Sequence, residues 1–180
     1  MKIGVLVGSL RKESYNRKIA NFLITNAPAS VHMKIIDIGQ LPLFNEDLEA
    51  NPPKEWLEFR KHVQEVDGCL FVTPEYNRSV PGVLKNAIDV GSRPYGQSAW
   101  NGKPCAVISA SMGSLGGFGA NHHLRQSFVF LNAPCMPQPE AYLSSVQNLF
   151  NDKGNLTNEG TNKFLSTFLD AFIKWIEKNK

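Results

Sequence analysis

Short apolar runs alternate with amphipathic stretches along most of the chain. The runs are rich in Val, Ile and Phe and predict five strands, at residues 2–7, 33–38, 68–73, 104–110 and, less regularly, 133–144. Between the strands, apolar residues recur at helical spacing and predict four amphipathic helices. Their apolar positions are Ile19, Leu23, Ala27; Trp56, Phe59, Val63, Val66; Val83, Leu84, Ala87, Ile88; and Ala120, Leu124, Phe128, Leu131. A fifth, broader apolar face at 164–176 predicts a packing helix.

The order of these elements indicates the fold class. The predicted strands are apolar on both faces and alternate with helices, which is typical of a parallel sheet covered by helices on both sides. A chain of 180 residues, 42% of them hydrophobic, is large enough for one core. We therefore predict a doubly wound α/β fold in a single domain spanning residues 1–180. Ligands of such folds bind beyond the carboxyl ends of the strands, so the loops after strands one, three and four are the candidate sites.

Composition and charge exclude several classes of function. The net charge is only +3, and no basic run is longer than a pair, which argues against a nucleic-acid-binding stripe or a polybasic membrane anchor. No apolar stretch approaches the length of about 18 residues that a membrane span requires, and we expect a cytoplasmic protein. The cysteines, Cys69, Cys105 and Cys135, are odd in number and lack C-x-x-C spacing, so neither a disulfide framework nor a zinc site is expected.

The loop after the first strand, GSLRKESYNR at 8–17, carries more polar groups than packing needs. Hydroxyls at Ser9 and Ser14, the amide of Asn16 and the guanidinium of Arg11 lie at the start of a helix, where free N–H groups and the helix dipole favour an anion. Neither a dinucleotide fingerprint nor a P-loop is present. The set is suited to a terminal phosphate. A simpler alternative is a helix N-cap at Ser14 beside solvated charges.

Two further loops fall at the same predicted edge of the sheet. The loop TPEYNRSVPG at 73–82 is stiffened by two prolines, and Tyr76 offers an aromatic wall or an interface contact. Its alternative interpretation is a turn in which Glu75 and Asn77 cap backbone groups. The loop SASMGSLGGFG at 109–119 contains four glycines, which allow the backbone to approach a ligand closely.

Taken together, four stretches carry a family resemblance. They are GSLRKESYNR at 8–17, LPLFNEDLE at 41–49, PEYNRSVPGVLKNAIDVGSRP at 74–94, and the stretch from WNGKP at 100–104 to SASMGSLGG at 109–117. The chain resembles the NAD(P)H-dependent FMN reductase family of flavodoxin-like proteins, and the chromate and quinone reductase branch is the most similar. The resemblance covers the chain up to about Ser144.

The resemblance implies a set of structural and chemical expectations. It implies the strand order 2-1-3-4-5 and bound FMN, with NAD(P)H as co-substrate. The FMN phosphate would be held by Ser9, Arg11, Ser14 and Asn16. The loop of Pro74, Glu75, Tyr76 and Asn77 would line the isoalloxazine ring, and its other edge would be bordered by Ser111, Gly113, Ser114, Gly116 and Gly117. Family members usually form homodimers, and some form homotetramers, with the flavin near a subunit boundary.

The expected reaction needs no catalytic protein side chain, because the flavin itself carries the hydride. We expect ping-pong reduction of quinones and other acceptors, such as chromate, azo compounds or free flavin. The alternative is a flavodoxin-like electron carrier that binds FMN without oxidising NAD(P)H, although such carriers are typically acidic. No cysteine has the C-x5-R spacing of a phosphatase.

Four further residues carry chemical groups whose roles the sequence leaves open or only partly indicates. Adjacent His122 and His123 diverge on a predicted helix, so a solvated or interface role is favoured over metal binding. Arg93 could meet the phosphate of the nicotinamide cofactor or a neighbouring subunit. The role of Arg17 is open.

Overall fold

The computed structural model describes residues 1–180 and contains one sheet of five parallel strands. The strand order is β2-β1-β3-β4-β5, as expected for a flavodoxin-like doubly wound fold. The strands are β1 Lys2–Val7, β2 His32–Ile35, β3 Gly68–Thr73, β4 Cys105–Ala110 and β5 Ala141–Leu143. The helices are α1 Tyr15–Thr25, α2 Lys54–Gln64, α3 Gly82–Gly91, α4 Phe118–Phe130 and α5 Glu159–Lys178. The predicted fold class is therefore confirmed.

Helices cover both faces of the sheet because the strands are apolar on both faces. On one face, Leu70 of β3 packs in a core cluster with α1 and α5. On the other face, its neighbour Phe71 packs in a second cluster with α2, α3 and α4. Successive side chains of a strand point to opposite faces, so each central strand contributes to both clusters. The winding reverses between β1 and β3, which places the candidate loops at the carboxyl edge of the sheet.

Both peripheral strands are shorter than the sequence predicts. The prediction for 33–38 was wrong beyond Ile35, because Ile36 and Ile38 are buried in the second core cluster without continuing the strand. The prediction for 133–144 was wrong outside Ala141–Leu143. Prolines at 134, 137 and 139 interrupt that stretch, since proline cannot donate a ladder hydrogen bond.

The predicted apolar stripes correspond to the observed helices, but three of them run past a helix end. Ala27, Val66 and Leu131 each lie just beyond the last residue of their helix, although they still pack against the core clusters. None of the five helices combines the length and the apolar composition that a membrane crossing requires.

Candidate cofactor site

A cavity of about 220 Å³ lies at the carboxyl edge of the sheet, between the loops that follow β1, β3 and β4. The structure brings together there these predicted site residues: Ser9, Arg11, Ser14, Asn16, Pro74, Glu75, Tyr76 and Ser111. The cavity is also lined by Tyr15, Ala110, Met112 and Val146, which the sequence analysis did not select. Asn77, Gly113, Ser114, Gly116 and Gly117 do not line it.

Ser14 caps α1, so the N-cap alternative from the sequence is confirmed. Its hydroxyl oxygen accepts a hydrogen bond from the Arg17 backbone N–H at 3.2 Å. The hydroxyl hydrogen takes no part in that bond and is free to donate to a ligand. Ser9 is also buried, and its hydroxyl forms no hydrogen bond within the chain. Capping and ligand binding by Ser14 are thus compatible.

Arg11 carries a positive charge that no carboxylate neutralises. Its Nη2 donates to the Glu13 carbonyl at 3.0 Å, and its guanidinium lies 5.9 Å from the centre of the Tyr15 ring. The neighbouring Glu13 carboxylate is paired instead with Lys18, at 3.2 Å. The guanidinium is therefore held beside the cavity with its charge available to an anion.

The first turn of α1 adds backbone donors to the same place. The N–H groups of Tyr15 and Asn16 cannot bond within the helix, because the residues four positions earlier lie outside it. They also form none of the turn and cap hydrogen bonds of this loop. Together with the helix dipole, they favour a negatively charged group at this position.

Asn16 places a buried acceptor without a partner beside these donors. Its Nδ2 donates to the Ala110 carbonyl at 3.4 Å, which fixes the side chain against the end of β4. Its Oδ1 is buried and has no hydrogen-bond partner. Leaving such a group unpaired costs roughly 1 to 3 kcal/mol. A ligand that carries both a phosphate and a hydroxyl donor therefore fits the donors and the acceptor of this cavity together.

Glu75 connects the loop after β3 to the start of α4. Its Oε2 accepts from the Ala120 backbone N–H at 3.1 Å, and its Oε1 accepts from the Arg78 guanidinium at 3.3 Å. The predicted capping role of Glu75 is confirmed, although the helix that it caps is α4 and not the one that follows its own loop. Tyr76 remains half exposed at the mouth of the cavity.

Two glycines of the loop after β4 pack closely against other residues of the same chain. Gly116 and Gly117 have φ values of +58° and +77°, and a Cβ on Gly116 would lie 2.8 Å from the Tyr142 carbonyl carbon. A Cβ on Gly117 would lie 3.0 Å from the Cβ of Ser109. The requirement for glycine at both positions is thus explained by packing, and their place beside a ligand stays a prediction.

Arg93 is fully engaged inside its own chain. Its Nε donates to Glu49 Oε1 at 2.5 Å, and its Nη2 donates to Glu46 Oε1 at 3.0 Å. The hydrogen bond from Arg93 lowers the pKa of the Glu49 carboxyl. These contacts fasten the segment before α2 to the end of α3, a role that neither of the sequence-based alternatives for Arg93 described.

The two adjacent histidines point to different elements, as their positions on the helix predict. His122 Nε2 lies 2.9 Å from the Tyr142 hydroxyl, and His123 Nδ1 lies 2.9 Å from the Ser79 hydroxyl. The chain contains no group of three or more His, Cys, Asp or Glu side chains placed to hold a metal ion.

The chain matches known proteins over nearly its whole length. Residues 1–148 match the family described as NADPH-dependent FMN reductase. A quinone reductase of Pseudomonas putida KT2440 is 61% identical over 179 residues, which cover 99% of this chain and 96% of that protein. A 2-hydroxy-1,4-benzoquinone reductase of a Burkholderia species is 43% identical over 180 residues, which cover 100% of this chain and 98% of that protein.

One solved structure combines a close structural match with substantial sequence identity. FerB, a flavoenzyme NAD(P)H:(acceptor) oxidoreductase from Paracoccus denitrificans, superposes with a TM-score of 0.92 and is 42% identical. The match covers 99% of this chain and 98% of FerB. The agreement therefore includes the sheet and all three loops of the cavity.

Proposed function

The chain belongs to the NADPH-dependent FMN reductase family, and on that premise we propose that it transfers electrons from NAD(P)H, through bound FMN, to quinones. The observation that carries the proposal is the set of free donors and the unpaired Asn16 acceptor at the start of α1. The names of the P. putida and Burkholderia relatives support quinones as the acceptor class. Chromate, azo compounds and free flavin are wider acceptors that the family resemblance suggests.

We propose that the loop after β1 holds the FMN phosphate. Ser9, Arg11 and Ser14 would donate to its oxygens, and each charge-assisted hydrogen bond would contribute roughly 1.5 to 3 kcal/mol. Asn16, which the sequence groups with them, would accept from a hydroxyl of the ribityl chain through Oδ1. A phosphate dianion has no hydrogen to donate to Asn16 Oδ1, whereas a ribityl hydroxyl has one.

The size of the cavity indicates how the rest of the cofactor would lie. Its volume of about 220 Å³ is below the roughly 300 Å³ at which ligand pockets usually begin, so it would enclose only one end of FMN. The ring would then extend over the loops of Pro74 to Asn77 and Ser111 to Gly117. FMN supplies the chemistry when bound, accepting a hydride from NAD(P)H and reducing the acceptor. The protein orients the ring and leaves one face accessible to both substrates in turn.

Steady-state assays of FMN-loaded protein test the proposed function. We expect oxidation of NADH or NADPH that depends on added 1,4-benzoquinone, with parallel double-reciprocal plots, because one open ring face cannot hold both substrates at once. The matched control is the same protein after removal of FMN, which should be inactive and recover on reloading. A yellow protein whose flavin stays oxidised under anaerobic NADH and NADPH would instead be an electron carrier.

We also propose that the chain forms a homodimer or a homotetramer. Phe130, the last residue of α4, is 89% exposed to solvent. Phe130 borders a cavity of about 550 Å³ between α3 and α4, and Ile88 lies on its opposite side. Exposed apolar side chains beside a concave surface are typical of an interface with a second protein copy. The cytoplasmic location stays a prediction.

Replacing Phe130 by Ser is expected to halve the molar mass of the protein in solution, from two chains to one for a dimer or from four chains to two for a tetramer. The reason is the loss of an apolar anchor from the proposed interface. Static light scattering on the eluting protein measures the mass directly. Leu57→Ser on α2 is the control, because Leu57 is also exposed, by 48%, but lies away from α4. An unchanged mass for Phe130→Ser would show that the subunits meet elsewhere.

A further inference from the structure

Three cysteines lie side by side across the sheet. Cys69 of β3 is the register partner of Cys105 of β4, and Cys105 forms a parallel bridge with Cys135. All three are free thiols. Cys69 and Cys105 are buried, whereas Cys135 is partly exposed. Cys135 is therefore the least buried residue of the row.

A guanidinium lies beside the thiol of Cys135. Arg125 of α4 places Nη1 3.8 Å from the sulfur of Cys135, and it is held by hydrogen bonds of 2.9 Å to Asn121 Oδ1 and to the Met136 carbonyl. No carboxylate lies within ion-pair distance of Arg125. Hydrogen bonding from Cys105 and the charge of Arg125 lower the pKa of the Cys135 thiol. Burial raises the pKa of Cys105.

Cys135 and Arg125 both line a cavity of about 540 Å³. Val129, Pro134 and Pro137 supply apolar surface around them. The volume lies within the range of roughly 300 to 1,000 Å³ that is usual for small-molecule sites. The Nη2 of Arg125 has no hydrogen-bond partner in the chain, so it is available to a carbonyl oxygen of a bound molecule. The lining therefore suits a flat apolar ring that carries a carbonyl group.

This cavity is separate from the candidate cofactor site. Cys105 is the first residue of β4, and the cofactor loop follows Ala110, its last residue. At about 3.3 Å per residue, the two sites lie at opposite edges of the sheet, roughly 16 Å apart along the strand.

We propose that Cys135 is a covalent modification site for quinones, which add to its sulfur from this cavity. The thiolate attacks a ring carbon that is β to a carbonyl, and the electron pair of the ring C=C bond moves through the enone onto the oxygen of that carbonyl, which Arg125 stabilises. The ring carbon then loses its proton, and both oxygens become hydroxyls. The thiol proton and the ring proton supply these two hydrogens, so the product is a hydroquinone thioether and no further oxidant or reductant is needed.

Mass spectrometry of the folded, full-length protein tests this site in the absence of NAD(P)H. We expect a mass increase of one 1,4-benzoquinone per chain, and peptide mapping should place the adduct on Cys135. Cys135→Ser should abolish the adduct and keep the quinone reductase activity, whereas Cys69→Ser, the matched control, should keep the adduct. No adduct, an adduct mapped elsewhere, or a loss of two hydrogens by Cys105–Cys135 disulfide formation would overturn the proposal.

The rate of adduct formation tests the role of Arg125. Arg125→Met should slow the reaction roughly threefold, because a weaker thiol acid supplies less thiolate and its greater intrinsic nucleophilicity offsets only part of that loss. Arg125→Lys, which keeps the charge, should retain most of the rate. Circular dichroism of both variants verifies their fold. Equal rates for the wild type and Arg125→Met would remove Arg125 from the site. The reaction uses no NAD(P)H, so its outcome is independent of the proposed reductase function.

Discussion

Replacing Arg11 by Gln is expected to raise the Kd of the protein for FMN by about tenfold to a hundredfold. The guanidinium has no carboxylate partner in the chain, so a phosphate at the start of α1 would be its main counter-charge. Loss of one charge-assisted hydrogen bond of roughly 1.5 to 3 kcal/mol corresponds to that change in Kd. The side chain is exposed, and the free energy of unfolding should change by less than about 0.5 kcal/mol.

Titration of the apoprotein with FMN, followed by quenching of flavin fluorescence, measures this Kd. Lys12→Gln is the matched control, because it removes the same charge from a neighbouring exposed position that makes no hydrogen bond through its side chain. Riboflavin provides a second control, since it lacks the phosphate and should bind both variants like the wild type. Equal losses for Arg11→Gln and Lys12→Gln would indicate general electrostatic attraction, and an unchanged Kd for Arg11→Gln would contradict the phosphate assignment.

Replacing Trp100 by Ala is expected to lower the free energy of unfolding by roughly 3 to 5 kcal/mol. The indole is 1% exposed, its ring centre lies 6.1 Å from that of Phe59 and 5.7 Å from that of Phe71, and its Nε1 donates to the Ile88 carbonyl at 2.9 Å. A Cβ on Gly91 would come within 2.5 Å of the indole nitrogen, which shows how closely the helix backbone packs there. The close neighbours on several sides should limit collapse into the space that the indole leaves.

Urea unfolding curves measure this difference between variant and wild type. Trp100→Phe is the matched control, because it keeps an aromatic ring but removes the N–H donor to the Ile88 carbonyl, and it should cost less than Trp100→Ala. Since domains of this kind are stable by about 5 to 15 kcal/mol, Trp100→Ala should also lower the yield of folded protein. A loss below about 1 kcal/mol would show that the surrounding side chains collapse into the space.

The central part of the fold could be predicted from the sequence because its strands are buried on both faces. Lys2–Val7 and Gly68–Thr73 have the predicted bounds, and β4 differs by one residue. The prediction failed at the edges of the sheet. An apolar run indicates burial, and residues such as Ile36 and Ile38 reach the core from beyond the end of β2. The Ile36 N–H still donates to the Val5 carbonyl of β1 at 2.9 Å, but the strand does not continue. Periodicity cannot distinguish that case from a strand.

The sequence predicted those residues of the candidate site whose positions follow from the order and direction of the strands. Parallel strands end at one edge, so the polar loops after β1, β3 and β4 had to meet there, and eight predicted residues do. Val146 was missed because it follows β5 and carries no polar signal. The sequence also cannot show which surface a glycine approaches, and Gly116 and Gly117 approach their own chain. Likewise, no pattern reveals that Arg93 is neutralised by Glu46 and Glu49.

The unpaired acceptor of Asn16 has a consequence for the abundance of the protein in a cell. A ligand that binds only the folded state stabilises it by RT ln(1 + [L]/Kd), so the folded fraction rises with the concentration of free FMN. Proteases remove the unfolded fraction, and small changes in stability therefore alter steady-state protein levels. The stabilisation that bound FMN supplies is therefore lost when flavin is scarce, and a larger fraction of the chain is then open to proteolysis. The amount of this reductase should therefore follow the riboflavin supply of its host, without any change in transcription.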